Sequence, residues 1–186
     1  HGAAEGARRL TDQHGISVKD IAKIRVETFH EGWRLGAELP TTTEEAQFNM
    51  AWPVAAMLVD GEIGPQQTLE HRLEDPELRR LARRVEVVES EKLNALAEAF
   101  EQGDTRGRWA SRVTIVLKDG RAFQSGLEDG GFHFPASTWG EAEIEKKFRW
   151  LTAHVLDQER IDALVAMVWE FEGVPDVREL TATLAG

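Results

Sequence analysis

The sequence predicts an α+β fold: a small mixed or antiparallel sheet with a β-hairpin, a buried central helix and trailing helices. Three observations carry this. Apolar and polar residues alternate from Ile21 to Thr28 and again on both sides of Asp119-Gly120, the period of half-buried strands. The ten residues from Met50 to Val59 are continuously apolar, and beyond about Pro135 only helical periodicity remains.

In chain order, Ala3 to His14 reads as the end of a helix, with Gly15 as a left-handed cap and Ile16 folding back beyond it. In the first strand Ala22, Ile24, Val26 and Thr28 share one face, and Lys23, Arg25 and Glu27 the other. His30 to Leu39 is a short helix or irregular connection ended by Pro40. Thr42 and Glu45 stand in capping-box spacing and open the central helix, which runs to Asp60-Gly61. Its apolar run is too short to span a bilayer and too apolar all round for a wet surface, so it reads as buried. Pro53 then falls well inside the helix with no N–H to give the Asn49 carbonyl, which predicts a kink or restart. Backbone acceptors near Gln47, Phe48 and Asn49 would need partners from elsewhere, and such a polar break is a candidate site.

Further on, Pro65 to Asp75 reads as a helical turn, and Asp75-Pro76 opens a helix that buries Leu78, Leu81 and Ala82. Val85 to Glu89 is a second strand, and Glu91 to Gly103 is helical in propensity but poorly delimited. Val113, Ile115 and Leu117 alternate with Arg112, Thr114 and Lys118, Asp119-Gly120 makes a two-residue turn, and Arg121 to Ser125 returns as a hairpin. A glycine-rich loop from Gly126 to Pro135 holds Phe132, His133 and Phe134. Thr138 and Glu141 form a second capping box, with Ile144, Phe148, Leu151 and Val155 on one face. Asp157 caps the next helix, marked by Ile161, Leu164, Val165 and Val168, and Pro175 opens a last one ending near Leu184.

With 186 residues, 41% hydrophobic and 30% charged, the chain has a globular composition. A net charge of -11 argues against nucleic acid, and the arginines at 79, 80, 83 and 84 share their helix with Glu74, Asp75 and Glu77. The absence of cysteine excludes disulfides, thiolate nucleophiles and iron–sulfur ligation in this stretch. No signal peptide or membrane-spanning segment is visible, which makes a cytoplasmic location the default and a membrane partner unexpected. The chain starts at His1, without an initiator methionine, in a helical pattern with no cap, so it is expected to be a piece of a longer protein.

The six histidines are the candidate acid–base groups. His14 suits the last turn of its helix. His71 and Glu74 offer a two-ligand spacing without a third ligand nearby, so no metal site is expected. His154 reads as packing beside Trp150 and Gln158, and His133 as a loop imidazole held between two aromatics or poised to reach a ligand. There is no phosphate loop, nucleophile elbow or HExxH helix.

Several stretches in order, HGAAEGARRLTDQHGIS, IAKIRVETF, TTTEEAQFNMAWPVAAMLVDG, DPELRRLARRVEV, VTIVLKDGRAF and EKKFRWL, resemble the carboxy-terminal half of the MmgE/PrpD family. The most specific parts are the EAQF block at Glu45 to Phe48 with its apolar run to Asp60-Gly61, and the LKDG hairpin at Leu117 to Gly120. The resemblance implies a metal- and cofactor-independent lyase or isomerase, such as a 2-methylcitrate dehydratase, cis-aconitate decarboxylase or iminodisuccinate epimerase. Such an enzyme acts on a small carboxylate and is typically a homodimer. It implies residues 1–22 as helix and linker from an amino-terminal helical domain, 23–137 as an α+β domain, and 138–186 as helices packing on that helical domain, with the active site between the domains and this stretch inactive alone. His1 matches a histidine implied in proton transfer, with Glu5 at the family's acidic place. Gln47, Phe48 and Asn49 match the block beside the pocket, Asn49 standing where serine is common. Trp52 matches a position that is often tyrosine, and its indole cannot act as a general acid or base. The proline has moved from before that aromatic to after it, at Pro53.

Overall fold

The computed structural model describes residues 1–129 and 140–184. It divides into two units, residues 1–137 and 138–186. His133, Phe132, Phe134 and Thr138 lie outside the described residues.

The first unit is built on a four-stranded mixed sheet in the order β2-β1-β3-β4. Its strands are β1 (Ile21–Thr28), β2 (Val85–Glu89), β3 (Ser111–Leu117) and β4 (Ala122–Gln124). β1 pairs in parallel with β2 and antiparallel with β3, and β3 with β4. The parallel pair needs a crossover, which carries α2 (His30–Arg34), α3 (Thr43–Gln47), α4 (Ala51–Asp60), α5 (Glu70–Leu73) and α6 (Pro76–Ala82). The remaining helices of this unit are α1 (Gly2–His14), ahead of the sheet, and α7 (Glu91–Glu101), between β2 and β3.

The core lies where Ile24, Val26, Val113, Ile115 and Leu117 meet α1 and α4. From α1 come Ala3, Ala7 and Leu10, so the first helix shares this core with the sheet. From α4 come Ala51, Trp52, Val54, Ala55, Ala56 and Leu58, buried on nearly every side as the apolar run predicts. Leu78 and Leu81 of α6 close it from the far side. Burying each large side chain contributes about 1.5–3 kcal/mol. The other face of the sheet carries an ion-pair lattice, Lys23 and Arg25 to Glu86, and Arg25 and Arg112 to Glu27, at 2.9–3.9 Å.

Four expectations need correction. Ala22 is exposed rather than on the core face, because the β1–β3 register shifts between Ile21 and Lys23 and Ile21 takes the buried place. The hairpin turn spans three residues: Gly120 donates to the Leu117 carbonyl at 3.0 Å and sits at φ 87, and Leu117 then pairs with Arg121. The central helix does restart, as expected, but at Asn49 and Met50, ahead of Pro53, which gives two helices, α3 and α4. Pro53 is therefore the third residue of α4, where a missing N–H costs no helical bond. Finally, the capping expected of Thr42 and Glu45 is split: Thr42 Oγ1 accepts the Glu45 N–H, but the Glu45 carboxylate reaches back to Thr41.

The second unit comprises α8 (Glu141–Thr152), α9 (Gln158–Trp169) and α10 (Val177–Leu184). α8 opens at Gly140, whose N–H donates to Glu143 at 2.9 Å, two residues beyond the expected box. Ile161 and Leu164 are buried, and Asp157 caps α9 as expected. Ile144, Val155, Val168 and Trp169 are exposed, and so is His154, which was expected to pack beside Trp150 and Gln158. No helix among the described residues is long and apolar enough to cross a membrane.

Between α7 and β3 the chain folds back tightly, and Asp104 is held by Arg106. Side-chain hydrogen bonds from the guanidinium, and then the Arg106 backbone N–H, lower the Asp104 carboxyl from 3.8 to about 2. Because the folded pKa is depressed, this contact stabilises fully above the ordinary aspartate range and fades as pH falls toward about 2. Replacing Arg106 with Gln should return the NMR titration midpoint of Asp104 toward about 3.9.

Candidate functional site

One end of the sheet gathers the features that the sequence singled out. Gly2, next to His1, packs on the Glu128 backbone so closely that a Cβ there would lie 2.1 Å from the Glu128 carbonyl oxygen. Glu128 and Ser111 exchange backbone hydrogen bonds at 2.8 and 2.9 Å. Ser111 lies opposite Thr28 in the sheet and donates its hydroxyl to Thr28 Oγ1 at 3.1 Å. Thr28 in turn touches Gly32, whose position a Cβ would share with Met50 Cε at 3.4 Å. A continuous line of contacts thus runs from the start of α1 to the start of α4, both helices beginning at the carboxyl end of β1.

His1 is exposed at the start of α1, and its carbonyl accepts the Glu5 N–H at 3.0 Å. Gln47 and Phe48 are exposed at the end of α3, Phe48 by 67%. Asn49 and Trp52 face inward. The Asn49 amide donates to the Glu38 carbonyl at 2.8 Å and its oxygen accepts the Trp52 backbone N–H at 2.7 Å, which makes it the working cap of α4. Met50 N–H donates to the Gly36 carbonyl at 3.1 Å. Trp52 is 0% exposed and its indole N–H donates to the Gln67 carbonyl at 2.8 Å. Gln67 is held by Gly64 and Asp60, and Asp60 by Arg72. The break thus ties the Met50 N–H to Gly36 and the Trp52 N–H to the Asn49 side chain, and presents Gln47 and Phe48 outward, with Asn49 and Trp52 forming the support behind them.

Two further groups at this end escaped sequence reading. His30 Nδ1 lies 3.0 Å from Glu89 Oε1, which Asn94 also reaches at 2.8 Å, while the His30 N–H donates to Asn94 Oδ1. The hydrogen bond from Asn94, and then that from His30, holds the Glu89 carboxyl below its ordinary range. These residues line a cavity of about 220 Å³ together with Glu31, Glu98 and Glu101. A second cavity, of about 420 Å³, is lined by Trp33, Arg34, Gly36, Ala37, Glu38 and Val87. Both depend on β2 lying beside β1, a pairing across some sixty residues; the one local signal was a short polar helix directly after a strand. Near His1, burial pushes the Glu128 carboxyl up while Arg9, 3.1 Å away, pulls it down. Among the described residues no group of three or more His, Asp or Glu is placed to hold a metal ion, His71 and Glu74 included.

The class defined by this geometry is an α+β domain with its polar residues collected where a parallel strand pair ends. Residues 1–171 match the MmgE/PrpD C-terminal domain, and the chain belongs to the MmgE/PrpD family. It is 28% identical over 197 residues to the cis-aconitate decarboxylase-like protein oryM of Aspergillus oryzae, covering 100% of this chain and 38% of that protein. It is 25% identical over 187 residues to human cis-aconitate decarboxylase, covering 99% of this chain and 36% of that protein. The chain thus spans well under half the length of these curated relatives.

The double bond made by Asn49 sets a measurable expectation. Asn49→Ala should lower unfolding free energy by about 1–3 kcal/mol in urea titrations, since both a cap and a part-buried bond to the Glu38 carbonyl are lost. Asn49→Ser, which keeps the cap but cannot reach the Glu38 carbonyl, should fall between.

Proposed function

We propose that this domain is the carboxy-terminal part of an enzyme that acts on a small di- or tricarboxylate by abstracting a proton alpha to a carboxylate. The observation that carries this is the family match over residues 1–171, joined to relatives named for cis-aconitate decarboxylation. Dehydration, decarboxylation and epimerisation share that chemistry: a base removes the proton while hydrogen-bonding or cationic groups hold the developing enolate charge.

In this reading His1 transfers the proton on one face of the substrate, and a group from an amino-terminal helical domain serves on the other. Gln47 and Phe48 border the pocket, while Asn49 and Trp52 act on it from behind, by holding the break rather than by touching substrate. The enzyme needs no metal or cofactor and works as a cytoplasmic homodimer. The helices of residues 138–186 pack on the helical domain, which gives the exposed Ile144, Val168 and Trp169 a partner.

One observation favours a second reading, a catalytically silent binding homologue: the aromatic at position 52 is an indole sealed in the core, with its N–H already committed. In the full-length protein, His1→Gln should cut turnover about a hundredfold or more, followed by NMR in deuterated solvent. A wild-type rate in a correctly folded variant removes His1 from the mechanism. Carboxylate binding by the wild-type protein without deuterium entering the alpha carbon favours the silent homologue.

A further inference from the structure

We infer that Arg34 binds a carboxylate of the substrate in the open cavity beside β2, and that Glu38 in the same cavity selects ligands bearing a hydroxyl or ammonium group. The inference rests on the function proposed above and names the side chains that would recognise its substrate.

Arg34 is the last residue of α2 and makes no ion pair or side-chain hydrogen bond among the described residues. Most other arginines of this unit are committed: Arg8, Arg9, Arg25, Arg72, Arg79 and Arg106 each pair with a carboxylate. An unpaired guanidinium offers a planar fork of donors that matches a carboxylate in two places at once. The cavity around it, about 420 Å³, is open to solvent, with Trp33, Arg34 and Glu38 exposed on its rim, so the guanidinium is accessible to a small ligand. Trp33 supplies an apolar side wall, and Val87 stands on the strand parallel to β1. Val87 sits mid-strand, opposite Val26 of β1, so the cavity is closed on one side by the parallel pair itself.

The wall is fixed rather than loose. Gly36 adopts φ 70, its N–H donates to the Trp33 carbonyl, and its own carbonyl accepts from Met50. Two residues on, the Glu38 carbonyl accepts from Asn49. The family block thus holds the cavity wall in place through Asn49 and Met50. The neighbouring cavity, which draws on the first residues of α2, is lined by Glu31, Glu89, Glu98 and Glu101, with His30 as its sole basic group, and it repels a polycarboxylate. Of the two cavities only the one with Arg34 suits an anion. Its Glu38 carboxylate disfavours a second carboxylate at that position and accepts a hydrogen bond from a donor there.

The test is isothermal titration of the full-length protein with malate, aspartate and succinate, which differ in one donor group. Wild type is expected to bind malate or aspartate more tightly than succinate. Arg34→Gln should weaken all three about tenfold or more, with Arg34→Lys intermediate, since an ammonium lacks the bidentate fork. Glu38→Gln should narrow the gap between malate and succinate, and Arg83→Gln, an exposed cation elsewhere, should match wild type. If Arg34→Gln folds and binds as wild type does, the role of Arg34 is overturned while the functional reading stands. If Glu38→Gln leaves the gap unchanged, the selection by Glu38 is overturned. Should the wild-type protein bind none of the three, the functional reading fails and the inference falls with it.

Discussion

Asn49 makes two bonds that decide where the chain turns. Its amide takes the Glu38 carbonyl and its oxygen takes the Trp52 N–H, so the crossover loop and the buried helix α4 are tied at one residue. Because α4 begins just after it, Pro53 falls where its missing N–H is harmless, and Trp52 enters the core facing Gln67. The exposed pair Gln47 and Phe48, the wall at Gly36 to Glu38, and the burial of α4 all follow from that restart. A polar side chain at 8% exposure is costly unless both its ends are satisfied, and here both are.

Sequence patterns reveal those parts of the fold whose causes are local. The hairpin could be read from alternation and an Asp-Gly turn, and the helix starts from Asp75 and Asp157, whose carboxylates do cap α6 and α9. The break and the restart were both legible, but the restart was tied to Pro53 rather than to Asn49, because an apolar run looks continuous. The overlooked signal was an asparagine three residues before Trp52 and four before a proline, the arrangement of a helix start. Ala22 was assigned to the wrong face because a single register shift inverts the alternation, and nothing in the local sequence announces it.

The candidate site divides along the same line. Residues 47–52 form a recognisable block, yet the fold turns two of its polar or aromatic side chains outward and two inward, which spacing alone cannot decide. Arg34 and His30 acquire meaning only through Val87 and Glu89, which arrive on a strand some sixty residues later. The acidic cavity draws on the first residues of a five-residue helix and the one with Arg34 on its last, so a few side chains set opposite charge preferences close together.

The central position of β1 also shapes how the molecule is assembled. Thr28 meets Ser111 across 83 residues of chain, and β2 joins β1 only after the whole crossover has been laid down. Only the β3–β4 pairing is local. Such a sheet pays its loop-closure entropy before most contacts form, so the hairpin is the natural early structure and docking of β1 the slow, rate-setting event. During that interval the core faces of α1 and α4 have no sheet to cover them, and the chain is at its most vulnerable to association with other unfolded chains.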